Sequence, residues 1–296
     1  MKVSILGTNG FLSTAIAKYA NHVSWELDMY GLDAPINHCY DNFYQVNLME
    51  GDLKYTKLLD SDLIVYAIGA GIQANLKETS SLIYNLNVTV PISICNKLKE
   101  LDYKGRFVTF GSVFEMGETA EERFFNETDI LTSLCSAPND YTVSKRMLST
   151  FVSSYKHSFT HWHFYIPTIY GAGENPKRLI PYVINAIRNG EQLSFTAGGQ
   201  TRQYVHVSEI PHLLALAVEQ ELPSGIYNIE GSETLTVYDI VNLIQHAMHT
   251  QIPEGCFGSL KREDVGMKYL ALDGEKLYNA IGFKANIKII DVINTY

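Results

Sequence analysis

The run Val3-Ser4-Ile5-Leu6, followed at once by Gly7-Thr8-Asn9-Gly10-Phe11-Leu12-Ser13, constrains this chain more than any other stretch. It reads as a buried strand, a glycine-rich turn and the start of a helix. Gly7 permits the tight turn, and Gly10 lets the backbone approach a pyrophosphate. The helix start adds free N–H groups and a favourable dipole. Gly7, Asn9, Gly10, Phe11 and Leu12 are therefore candidate cofactor contacts. Ser13 stands where the usual pattern has a third glycine, so helix and strand pack slightly less closely. Asp33 ends the second apolar run, about 20 residues beyond the turn. An acid there accepts hydrogen bonds from an adenosine ribose and repels a 2′-phosphate. The expected cofactor is NAD or NADP, with NAD favoured.

Apolar runs at 2–6, 25–32, 43–46, 63–68, 107–110 and 163–167 alternate with helical patterns at 11–21, 83–98 and 141–155. This alternation predicts an α/β fold with a Rossmann-type, doubly wound parallel sheet. Pro91 lies within the second helical pattern and predicts a kink or an otherwise satisfied carbonyl. After Gly171, turn clusters at 171–176 and 197–200 separate helical patterns at 179–188, 210–218 and 237–249. The expected division is an NAD(P)-binding domain at 1–167 and a smaller α/β substrate lobe at 168–296. Some strands and helices of the second part are free to return to the first. The 296 residues accommodate this arrangement.

A formal net charge of −9 argues against a nucleic-acid or anionic-membrane partner, since both need a surplus of Lys and Arg. No run reaches the roughly 18–20 apolar residues of a membrane span. The start of the sequence lacks signal-peptide architecture, so a cytoplasmic protein is expected. Cys39, Cys95, Cys135 and Cys256 lack metal-ligand spacing and are expected as reduced thiols. His161 and His163 could share a strand face, and His246 and His249 a helix face. No acidic or cysteine partner stands at matching spacing, so no metal site is expected.

Tyr141 and Lys145 stand i, i+4 at the start of a helical pattern, which places phenol and ammonium on one face. A free tyrosine titrates near pH 10, about three units too high for a base at neutral pH. A lysine and a cationic nicotinamide ring nearby favour the phenolate, at roughly 3–4 kcal/mol of differential stabilisation. Such a tyrosine exchanges a proton with a sugar hydroxyl or ketone while hydride moves to or from the ring. Ser112 follows the apolar run 107–110, where its hydroxyl can hydrogen-bond the reacting oxygen.

With these residues in place, the sequence resembles the extended short-chain dehydrogenase/reductases, the NAD-dependent epimerase/dehydratase family. Gly7, Gly10, Ser112, Tyr141 and Lys145 match its motifs. The resemblance further implies cofactor contacts at Ala67, Gly69 and Asn87. It implies substrate contacts at Ser112, Thr168, Arg178, Arg202, Tyr204 and Arg262, with paired arginines clamping the diphosphate of a nucleotide sugar. His206 is also expected near the substrate. The helices bearing Asn87 and Tyr141 imply a homodimer.

Dehydratases of this family carry an Asp-Glu pair after the catalytic Ser or Thr; here Val113 and Phe114 stand there. Phe114 also departs from the decarboxylase pattern. Glu115, one residue out of register, is expected to point elsewhere. Tyr165 replaces the usual sugar-site arginine. The second half is similar to nucleotide-sugar 4-ketoreductases of the CDP-abequose synthase type, which make deoxysugars for surface polysaccharide such as O-antigen lipopolysaccharide. The resemblance implies NAD(P)H-dependent reduction of a nucleotide-linked 4-keto-6-deoxyhexose. A nucleotide-sugar 4-epimerase and a non-catalytic NAD(P)-binding protein stay open.

Overall fold

The computed structural model describes residues 1–72, 76–251, 255–260 and 266–296. The chain opens with β1 (Lys2–Leu6), α1 (Phe11–His22), β2 (Glu26–Gly31), β3 (Asn42–Gln45), α2 (Tyr55–Leu58) and β4 (Leu63–Tyr66). Next come α3 (Ser80–Tyr84), a π-turn at Asn85–Thr89, α4 (Val90–Glu100), β5 (Arg106–Ser112) and a 3-10 turn at Val113–Met116. β6 (Phe124–Phe125), α5 (Glu127–Leu131), α6 (Asp140–Ser154), β7 (Thr160–Ile166) and β8 (Thr168–Tyr170) follow. Then come α7 (Leu179–Asn189), β9 (Thr201–His206), α8 (Glu209–Glu219), β10 (Gly225–Asn228) and β11 (Glu233–Thr236). The last elements are α9 (Val237–Ala247), β12 (Tyr269–Leu272), α10 (Glu275–Ile281) and α11 (Ile289–Val292).

Seven strands form one sheet in the order β10-β7-β5-β4-β1-β2-β3, with every pairing parallel. A parallel sheet covered on both faces needs strands apolar on both sides. β4 shows this directly: Leu63, Ile64, Val65 and Tyr66 are all buried. The strand order reverses between β1 and β4, so a crevice opens at their carboxyl ends. α1 buries Ile16, Ala17 and Ala20 in the same core as Ile210, Leu213 and Leu214 of α8.

A second sheet has the order β11-β9-β12-β6, with β8 beside β9. Its α7 and α9 share a core of Ile180, Val183, Ile184, Ile240, Val241 and Ile244. The chain crosses between the sheets more than once. β10 and α8, from beyond residue 167, join the large sheet and its covering helices, while β6 joins the small one. Buried Asn228 fastens the two: its Nδ2 donates to Phe125 O and Asp273 O, both at 2.9 Å. No helix among the described residues is long and apolar enough to cross a membrane.

Pro91 neither ends nor sharply breaks its helix. The π-turn at Asn85–Thr89 immediately precedes it, and Pro91 sits in the first turn of α4. A missing N–H is tolerated in a first turn, and the widened turn absorbs the register change. That turn also carries Asn87, whose placement matters for the site below.

Candidate active site

The glycine-rich turn is shaped by contacts that a side chain would prevent. Gly7 has φ +109°, and a Cβ there would lie 2.9 Å from Ile68 Cγ1. Gly10 begins α1 in an extended conformation, without a side-chain cap on the first turn. The N–H groups of that turn therefore face the crevice available for an anion, and the cradle fits a dinucleotide pyrophosphate. Phe11 and Leu12 begin the helix, half-buried beside it. The side chain of Asn9 is occupied otherwise: it donates to Ala34 O and accepts from Ile36 N–H, both at 3.1 Å. It thereby braces the loop that follows the exposed Asp33.

Ala67 and Gly69 follow β4 on the other side of the crevice. Asn87 does not reach into it. It is 1% exposed, and its amide accepts from Ala70 N–H at 2.9 Å. Its Nδ2 donates to Ala70 O at 2.8 Å and Ser144 Oγ at 2.9 Å. Asn87 thus braces the crevice wall against α6, with both Nδ2 hydrogens and one Oδ1 lone pair engaged.

Asn139 caps α6 by accepting from Thr142 N–H at 3.0 Å, which starts the helix at the right point to present Tyr141 and Lys145 one turn apart. Lys145 Nζ donates to Phe110 O at 2.8 Å and lies 5.9 Å from the Tyr141 ring centre. Ser112 ends β5, and its Oγ accepts from Phe114 N–H at 3.2 Å. The Ser112 hydroxyl also reaches the phenol of Tyr141, so the two share one place at the cleft.

Beneath this group lies a buried polar chain. Glu115, 0% exposed, accepts from Ser112 N–H at 2.8 Å and from Ser149 Oγ at 2.5 Å. Ser149 Oγ is 3.0 Å from His163 Nε2, and His163 Nδ1 is 2.8 Å from Thr109 Oγ1. Thr109 Oγ1 is in turn 2.9 Å from His161 Nε2. Arg146 clamps the 3-10 turn from α6, donating to the carbonyls of Glu115 and Met116 at 2.6 and 3.0 Å. The sequence did not single out Ser149, and it left Glu115 pointing elsewhere and His163 on a strand face; only the fold of β5, α6 and β7 brings the three together.

Burial sets the charges. It pushes Glu115 up, while the bonds from Ser149 and Ser112 and the charge of Lys145 draw it down. It pushes Lys145 down, opposed by the Glu115 charge. It pushes Tyr141 up to about 12, opposed mainly by the Ser112 hydroxyl. The phenolate expected from the Tyr–Lys pair is therefore not produced by the protein's own groups; desolvation outweighs them. Replacing Glu115 with Gln removes the carboxylate that keeps Lys145 charged, so Lys145 loses its proton at lower pH. The alkaline limb of a kcat/KM–pH profile is expected to move to lower pH in Glu115→Gln. An unmoved limb would break the link between these two groups.

The second sheet closes the cleft. Arg202 stands 5.8 Å from the centre of the Phe114 ring, which lies edge-on to Tyr141 at 6.5 Å. Arg178 pairs through Nε with Glu174 Oε2 at 3.2 Å, and its charge reaches Tyr141. Buried Glu174 also accepts from Tyr296 OH at 2.6 Å; neither residue stood out in the sequence. Thr168 pairs with Tyr204 across β8 and β9, and the Tyr204 ring is 4% exposed against Tyr170. His206 packs on Tyr170 beside Gly171, at the end of the same strand. Tyr165 is fully buried beside His163, so the place of the usual sugar-site arginine lies in the core. Arg262 lies outside the described residues.

Residues 3–229 match the NAD dependent epimerase/dehydratase family. The chain belongs to this family. It is 21% identical over 270 residues to dTDP-D-glucose 4,6-dehydratase of Dictyostelium discoideum, across 82% of this chain and 61% of that one. It thus spans about three fifths of that relative's length. Its fold is similar to that of dTDP-glucose 4,6-dehydratase from Bacillus anthracis in complex with NAD. There the TM-score is 0.82 at 15% identity, covering 100% of this chain and 94% of the other. UDP-glucose 4-epimerase from Thermotoga maritima, with UDP-glucose, also has a TM-score of 0.82 at 15% identity, covering 99% and 95%.

Proposed function

We propose that this family member reduces the 4-keto group of a nucleotide-linked 4-keto-6-deoxyhexose. The carrying observation is the ring of Phe114, which stands beside Tyr141 and under Arg202 where a dehydratase needs an acid. A phenyl ring transfers no proton, and the adjacent acid, Glu115, is turned beneath Ser112 and sealed from the cleft. The site retains what a single hydride delivery requires. A nicotinamide cofactor held on the Gly7–Gly10 turn supplies the hydride when bound. The Ser112 hydroxyl, beside the Tyr141 phenol, turns its proton to O4 when substrate binds, and Tyr141, protonated at neutral pH, donates its proton to the same oxygen as negative charge develops. Lys145 stabilises the resulting phenolate. Arg178 and Arg202 offer positive charge for the diphosphate.

The test mixes the protein with CDP-, dTDP-, UDP- and GDP-linked 4-keto-6-deoxyhexoses and follows added NADH, then NADPH. Consumption stoichiometric with one 4-keto sugar supports the reductase. Interconversion of UDP-hexoses without added cofactor, and with no NADH or NADPH consumed, would replace it with a 4-epimerase.

Asp33 directs the cofactor preference toward NADH, since its exposed carboxylate repels a 2′-phosphate. Asp33→Ser is expected to shift the NADH-to-NADPH ratio of Kd values by about tenfold toward NADPH, the order of one exposed charge contact. An unchanged ratio would show that Asp33 does not meet the ribose.

A further inference from the structure

The opposite end of the same strands carries a second group of ligating side chains. Cys95 of α4, His157 in the loop before β7, and His161 of β7 bring three donor atoms within 4.8 Å of one another. Cys95 Sγ lies 3.9 Å from His161 Nδ1. Donors on a tetrahedral zinc-type ion, bound at about 2.3 Å for sulfur and about 2.1 Å for nitrogen, stand roughly 3.6 Å apart. The absence of a cysteine beside His161 in the sequence is thus reversed by the fold.

The buried polar chain fixes which nitrogen of His161 is free. Ser149 spends its proton on Glu115, so His163 must donate through Nε2. Neutral His163 then accepts at Nδ1 from Thr109. Thr109 has no second proton, so His161 donates through Nε2. Its Nδ1 therefore presents a lone pair toward Cys95, oriented by Thr109 in the way that outer hydrogen bonds orient metal-binding imidazoles.

His157 supplies an independent observation. Both its ring nitrogens are buried and meet no hydrogen-bond partner among the described residues. The ring is stacked on Phe159 at 4.7 Å and lies 5.3 Å from the His161 ring. A cavity of about 540 Å³ opens beside it, lined by His157, His161, Lys156, Ser224 and Lys276 among others. Two imidazoles, a thiol and an adjacent cavity form a soft-donor set with room for one exogenous ligand.

We propose that Cys95, His157 and His161 bind one thiophilic divalent cation of the zinc class, with water from the cavity in the fourth position. Binding breaks the Cys95 S–H bond, forms a metal–sulfur bond and releases one proton to solvent; both imidazoles bind neutral, so nothing is oxidised or reduced. The site is separate from the cleft: His161 pairs with Phe107 at one end of β5, and Ile166 with Ser112 at the other.

The experiment titrates the whole, reduced protein with Co²⁺ alone. The expected result is one equivalent bound, a near-ultraviolet thiolate-to-cobalt charge-transfer band and about one proton released per ion. Cys95→Ser is expected to abolish the band. His157→Gln, a change of similar size in a loop outside the sheet, is expected to weaken binding at least tenfold while far-ultraviolet dichroism stays native. Absence of the band, its survival in Cys95→Ser, or an unchanged midpoint in His157→Gln would each overturn the site.

Discussion

Tyr141→Phe is expected to lower turnover by about 10³-fold, within the range for loss of a positioned proton donor. The change removes one hydroxyl and keeps the ring. The edge-on contact with Phe114 and the neighbouring Lys145 are therefore retained, and the helix remains capped by Asn139. Nothing in the Gly7–Gly10 cradle is touched, so cofactor affinity should stay within about twofold. Stopped assays with the accepted 4-keto sugar give the first quantity, and fluorescence titration with NADH the second. Wild-type turnover in Tyr141→Phe would move the proton donor elsewhere. Were the protein a binding module, the substitution would leave its function whole. Loss of both turnover and NADH binding would mean that the phenol shapes the cofactor crevice as well as the reaction.

Gly111→Ala is expected to destabilise the fold by about 3 kcal/mol, the upper part of the range for overpacking. A Cβ at Gly111 would lie 2.5 Å from Tyr165 Cδ1 and 2.7 Å from both Glu115 Oε1 and His163 Nε2. All three neighbours are at most 0% exposed, so none can swing into solvent. Relief would come from displacing Glu115, which also releases Ser112 N–H. Activity should therefore fall together with a drop in Tm of about 5–10 °C. Gly199→Ala is the control: a Cβ there meets nothing within 4 Å, and its Tm should stay within about 1 °C of wild type. Equal Tm values for the two variants would refute the close packing around Gly111.

Much of the frame was legible from local pattern. The first strand, turn and helix were read from residues 2–21 and are found as β1 and α1. Strand and helix periodicities, together with glycine at the turn, act over a few residues, which is why they survive translation into structure. The i, i+4 spacing of Tyr141 and Lys145 needed only a helix, and α6 provides it. The short strands β6, β11 and β12 were not located individually. Each has at most four residues, and each is stabilised by pairing with strands distant in sequence.

The sequence by itself determined the alternating α/β order, the glycine-lined turn, the one-turn spacing of Tyr141 and Lys145 and the apolar Val113-Phe114 step, because each depends on residue identity and short spacing. Tertiary structure alone decided what Asn87, Glu115 and Cys95 do. Asn87 is drawn to Ala70 and Ser144, Glu115 to Ser112 and Ser149, and Cys95 to His161. A buried polar group must find its partner inside the protein or lose several kcal/mol of solvation. Which partner it finds is set by how β5, α4, α6 and β7 lie against one another, and no local spacing records that.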